Sequence, residues 1–115
     1  MLKQTDIVYL SGPMSGLPDY NVPAFNDAEK WLREHYSCKV LNPARHPEGL
    51  TYCEYMRRAL TDLEAATVIV TLPRASDSIG ASFEIVVAAE KLYKSIFFLN
   101  PRNELVPIWH GKECE

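Results

Sequence analysis

Val68-Ile69-Val70-Thr71-Leu72-Pro73-Arg74-Ala75-Ser76-Asp77-Ser78-Ile79-Gly80-Ala81-Ser82-Phe83-Glu84 contains a strand, a loop and the start of a helix in one run. The apolar stretch from Thr67 to Leu72 suits a strand buried on both faces. Pro73-Arg74-Ala75-Ser76 reads as a turn. The residues from about Gly80 to Tyr93 then take a helical pattern, with Phe83, Val86, Val87 and Leu92 presented to a core. The backbone N–H groups at such a helix start lack intrahelical partners, and the helix dipole is positive there. A short Ser/Gly loop at that point can therefore receive an anion or a polar sugar. Glu84 falls about one turn into the helix and puts a carboxylate beside that position.

The same alternation extends outward. Asp6 to Ser11 reads as a strand, followed by the Gly/Pro/Ser loop Ser11-Gly12-Pro13-Met14-Ser15-Gly16-Leu17-Pro18. Pro23 to Tyr36 reads as a helix with Pro23 at its first position and Phe25, Ala28, Leu32 and His35 on one face. Cys38 to Leu41 is a short strand, ended at Asn42-Pro43 because a residue before proline is driven toward extended geometry. Thr51-Tyr52-Cys53-Glu54 has the form of a capping box, and the helix it opens carries Tyr55, Met56, Ala59, Leu60 and Leu63 on one side. Ser95 to Leu99 is a further strand. Residues 100–115 read as a tail or a last short element in which Trp109 packs on its own chain or a neighbour's.

Strands alternating with helices imply a parallel sheet with right-handed crossovers. The expected fold is α/β, a small Rossmann-like or flavodoxin-like three-layer sandwich with a parallel sheet of four or five strands. It forms a single domain over residues 1–115 with its core at about 6–99. In such sheets ligands sit beyond the carboxyl ends of the strands, near the point where strand order reverses. The Ser11–Gly16 and Pro73–Gly80 loops both leave carboxyl ends, so they are expected to face each other there with Glu84.

Composition narrows the possibilities. The 115 residues, 47% of them hydrophobic, suffice for one buried core. A net charge of −3 with scattered Lys and Arg lacks the basic footprint for duplex nucleic acid. No apolar run approaches the length of a membrane span, and the N-terminus lacks a signal-peptide pattern. The three cysteines, Cys38, Cys53 and Cys114, have no paired spacing and point to neither a disulfide framework nor a zinc site. A reducing cytoplasm is the expected location. His35, His46 and His110 have no partners at metal-ligand spacing, and Arg57-Arg58 reads as a solvated helix face.

Four motifs in order resemble the nucleoside 2-deoxyribosyltransferase superfamily, which includes the 2'-deoxynucleoside 5'-monophosphate N-glycosidases. They are Tyr9-Leu10-Ser11-Gly12-Pro13-Met14-Ser15-Gly16, Tyr20-Asn21-Val22-Pro23-Ala24-Phe25, Asn42-Pro43, and Ser78-Ile79-Gly80-Ala81-Ser82-Phe83-Glu84. The resemblance spans roughly residues 6–99 and is nearest to small uncharacterised phage and bacterial members. It implies that Glu84 attacks C1' of a 2-deoxyribose and forms a glycosyl-enzyme ester, which water or a second base resolves. It further implies that Tyr9 orients the carboxylate and that Ser78 and the amides near Gly80 hold a 5'-phosphate. Ser11, Gly12, Pro13, Met14, Gly16 and Asn42 would shape the substrate pocket. No cofactor or metal is implied. The partner is a small nucleoside or nucleotide, and relatives form homo-oligomers.

One family feature is displaced. Relatives carry an Asp on the helix before the third strand that serves the leaving base, and that position falls at Ala59 here. Asp62 and Asp77 are the alternatives. Hydrolase and transferase both remain open, as does a non-catalytic nucleotide-binding or sensing module on the same fold.

Overall fold

The computed structural model describes residues 2–14, 17–46, 49–75, 81, 84–85, 87 and 94–109. Five strands form one sheet: β1 (Ile7–Ser11), β2 (Lys39–Leu41), β3 (Val68–Thr71), β4 (Ser95–Leu99) and β5 (Leu105–Trp109). Their spatial order is β2-β1-β3-β4-β5. The first four run parallel, with Tyr9 opposite Leu41 and Ile69, and Val70 opposite Phe97. Strand β5 pairs antiparallel with β4, so the region read as a tail supplies an edge strand. The parallel sheet expected from the sequence is therefore a mixed one. Its order reverses between β1 and β3, the switch point of a flavodoxin-like sheet.

Helix α1 (Val22–Tyr36) covers one face of the sheet, and helix α2 (Tyr52–Ala65) covers the other. Side chains alternate along a strand, and this alternation divides the core in two. Val8 and Leu10 of β1 join Val68, Val70, Phe97 and Leu99 against Phe25, Ala28 and Leu32 of α1. Tyr9, Ile69 and Ile96 pack on the opposite face against Ala59, Leu63 and Ala66. The fully buried β3 is what places helices on both sides.

Local signals set the helix ends. Thr51 accepts a hydrogen bond from the Glu54 amide at 3.1 Å, and Glu54 accepts from the Thr51 amide at 3.2 Å, closing the capping box that opens α2. Asn21 precedes α1 in a left-handed conformation and makes no capping bond; its side chain donates instead to the Pro13 carbonyl at 2.9 Å. That bond ties the start of α1 to the loop leaving β1. Ala81, Glu84 and Ile85 lie in helical backbone after β3. Val87, expected to face the core, is helical as well and packs with Ile85 against the α2-side cluster; the other residues of the helix expected over 80–93 fall outside the described residues.

Candidate active site

Tyr9 and Ser11 are two residues apart on β1, so strand geometry turns both side chains to the α2 face. There both reach Glu84. The Tyr9 hydroxyl donates to Glu84 Oε2, and the Ser11 hydroxyl donates to Oε1 at 2.9 Å. Each carboxylate oxygen thus receives one hydroxyl, which fixes the plane of the carboxyl group. All three side chains are buried, Glu84 with only 6% of its surface exposed.

Burial disfavours a charge, and it is the main cause that raises the Glu84 pKa above the ordinary carboxylate value. The hydrogen bonds from Tyr9 and Ser11 act in the opposite direction and partly restore the ionised form. Tyr9 is pushed far above its usual range by burial, then by the charge of Glu84 and the bond to it, so it remains a donor. Tyr55 on α2 is pushed up to about 12 by burial and by the Glu84 charge. The Tyr55 hydroxyl donates to Met14 Sδ at 3.1 Å and so reaches the loop leaving β1.

The remaining predicted positions divide into three groups. Gly12 lies against β3: a Cβ there would stand 3.0 Å from Leu72 Cβ, while the Leu72 amide donates to the Ser11 carbonyl at 2.8 Å. Its missing side chain lets the ends of β1 and β3 close together. Pro13 lines a groove of about 400 Å³ beyond the strand ends, with Leu72, Pro73, Arg74, Ala24 and Asn103 among its walls. That groove opens on the α1 side, and Glu84 does not line it.

Asn42 is committed inside the protein. Its Nδ2 donates to Glu29 Oε1 at 3.0 Å and to Asn26 Oδ1 at 3.1 Å, and its Oδ1 accepts from the Ala44 amide at 2.9 Å. Both of its amide hydrogens and its carbonyl are engaged within the protein. Asp62 likewise faces His46, accepting from Nε2 at 3.2 Å, with Arg57, Arg58 and Thr61 around the same groove. Ala59 is fully buried in the core with Tyr9. Gly16, Asp77, Ser78 and Gly80 lie outside the described residues.

Sequence reading placed Ser11 among substrate contacts and overlooked its grip on Glu84. The signal was present in its spacing of two from Tyr9. His46 and Tyr55 had no comparable signal, since they come together only through the packing of α2 beneath the turn after β2.

This architecture is the fold of the nucleoside 2-deoxyribosyltransferases. The solved structure of 2-deoxyribosyltransferase from the psychrotolerant bacterium Bacillus psychrosaccharolyticus, described as a biocatalyst for the synthesis of antiviral and antitumoral nucleosides, superposes with a TM-score of 0.65. The match covers 87% of this chain and 76% of that one at 17% identity, which establishes likeness of fold. The chain itself belongs to the family described as a domain of unknown function, DUF4406, which matches residues 6–98. No curated protein sequence matches it.

Proposed function

We propose that this domain cleaves or exchanges the N-glycosidic bond of a 2'-deoxynucleoside or its 5'-monophosphate, with Glu84 as the nucleophile. The observation that carries the reading is the buried Glu84 carboxylate, gripped by Tyr9 and Ser11 on the carboxyl-terminal half of β1 at the switch point. A carboxylate in that position has a fixed orientation and little competing water, which favours attack on an electrophilic carbon.

A Glu84 carboxylate oxygen bonds to C1' as the C1'–N bond breaks, and the bonding pair leaves with the base, which takes up a proton. The resulting ester is then opened by water or by the ring nitrogen of a second base, which frees the carboxylate. Tyr9 and Ser11 hold the carboxyl plane through both steps. Ser78 and the amides near Gly80 are the proposed seat of a 5'-phosphate. Asp77 stays a candidate beside them, and Gly16 a candidate in the first loop.

A second reading, a nucleotide-binding or sensing module, is favoured by one observation. Ala59, where the resemblance implies an Asp serving the leaving base, is sealed in the core. Incubating wild-type and Glu84→Gln protein with each deoxynucleoside and 5'-monophosphate, with free base read by chromatography, separates the two. The enzyme reading expects base release by wild type and a loss of several orders of magnitude in the variant. Binding of a nucleotide without release of any base would sink the enzyme reading and favour the module.

A further inference from the structure

Helix α2 begins beyond the carboxyl end of β2, after the turn Pro43–Arg45, and delivers the chain to the amino end of β3. It therefore runs antiparallel to the strands. Ala59 of α2 packs beside Tyr9 of β1 in the core. Tyr55 lies one helical turn from Ala59 toward the carboxyl ends of the strands, and Ser11 lies two residues from Tyr9 in the same direction. A helical turn and a two-residue step along a strand each advance the chain by about 6 Å. Tyr55 thus stands level with Ser11 and with the Glu84 carboxylate that Ser11 holds.

From that level the Tyr55 hydroxyl donates to Met14 Sδ at 3.1 Å. Met14 follows Ser11 by three residues, and its side chain packs against the core cluster on the α1 side. It therefore crosses the end of β1 from one face of the sheet to the other. The loop leaving β1 is pinned from both faces: Asn21 at the start of α1 donates to the Pro13 carbonyl at 2.9 Å, and Tyr55 of α2 donates to Met14. The Tyr55 ring is itself backed by His46, edge-on with centroids 5.4 Å apart, and His46 donates to Asp62 at 3.2 Å. Ring packing of this kind does not require the hydroxyl. A thioether is also a weak acceptor, so the bond adds little to holding α2 in place. What it fixes is the position of the loop.

Ligands of such sheets sit beyond the carboxyl ends of the strands at the switch point. A segment lying across the end of β1, next to the Ser11–Glu84 bond, forms a wall of that place. Resting on the glycosidic reading above, we infer that Tyr55 is a positioning residue for the substrate. Through Met14 it holds the loop leaving β1 as the wall against which the sugar is seated over Glu84. The Tyr55 hydroxyl takes no part in breaking or making the glycosidic bond.

The test is a double-mutant cycle of Tyr55→Phe and Met14→Leu, read as kcat and KM on the productive substrate of the panel. Tyr55→Phe keeps the ring and removes the donor; Met14→Leu keeps the bulk and removes the acceptor. Tyr55→Phe alone is expected to raise KM about three- to tenfold, the worth of one hydrogen bond. Its kcat should change less than about twofold, because the bond serves ground state and transition state alike. In the Met14→Leu background the same substitution should cost nothing further. Three results would overturn the role while leaving the Glu84 reading intact: an unchanged KM, a fall in kcat with KM unchanged, or an equal cost in both backgrounds. A merely structural tyrosine would lower the melting temperature without raising KM. Should wild type bind a nucleotide and release no base, the glycosidic reading falls, and the same cycle read as Kd still decides whether Tyr55 acts through Met14. Neither binding nor release by wild type would remove both.

Discussion

The environment of Glu84 sets burial against hydrogen bonding, and the balance is readable in two variants. Tyr9→Phe keeps the ring in the core and removes one donor from the carboxylate. Since that bond lowers the Glu84 pKa, its loss should raise it further. The acid limb of kcat/KM is expected to move to higher pH in Tyr9→Phe, with activity at neutral pH reduced about tenfold or more. An unmoved limb would mean that another group titrates there. Glu84→Gln addresses stability. The unfolded chain ionises Glu84 near 4.5, whereas the folded protein holds its proton to higher pH. Between those values the unfolded state binds fewer protons, so wild-type stability falls as pH rises and stays lower above the window. The amide variant carries no such penalty. Its melting temperature should match wild type near pH 4 and exceed it increasingly above pH 5. A constant difference across that range would contradict the burial argument. A group that costs stability when charged and is nevertheless held by two hydroxyls fits retention for reactivity.

At the scale of elements, the chain announced those parts whose signals are local. The capping box at Thr51 and the alternation around β1 gave α2 and the two-faced core directly. Thr51→Ala should cost about 1 kcal/mol, because it frees the Glu54 amide from its cap. That corresponds to a fall of roughly 4 °C in melting temperature, read by calorimetry; no change would show that α2 is held by packing alone. Strand β5 was not legible. Val106, Ile108 and Trp109 are all exposed, so no apolar alternation marks the strand, and Pro107 argues against a central one. Its existence depends on pairing with β4, a property of the partner strand that no local window contains. The same holds for the turn at 43–45. Asn42 read as a turn residue, but the buried Glu29 beneath it and the His46–Asp62 contact arise only when α1 and α2 close on opposite faces of β2.

At the scale of the molecule, strand order converts separate motifs into one site. Glu84 follows β3, while Tyr9 and Ser11 belong to β1, and the reversal of order brings these neighbours together with no helix between them. The motifs at Tyr9 and Glu84 were recognisable in the sequence, whereas Ser11 read only as a substrate contact, although its spacing of two from Tyr9 puts it on the same face of β1. The capture of Glu84 by both hydroxyls needed the fold. No helix among the described residues is long and apolar enough to cross a membrane. The two faces also differ in use. The α1 side holds the larger apolar cluster, the 400 Å³ groove and buried Glu29 with its partners Arg33 and Arg45, whereas the α2 side carries Glu84 with Tyr9 and the His46–Asp62 pair.

The central claim is a covalent bond between Glu84 and the sugar. Its most direct test is the intact mass of the protein, acid-quenched while turning over the productive substrate, followed by peptide mapping. The account predicts an added mass equal to one deoxyribosyl group, with its phosphate when the substrate carries one. The adduct should lie on the peptide containing Glu84 and be missing in Glu84→Gln. Base release at full rate with no adduct on that peptide under any quench, or an adduct that persists in Glu84→Gln, would contradict it.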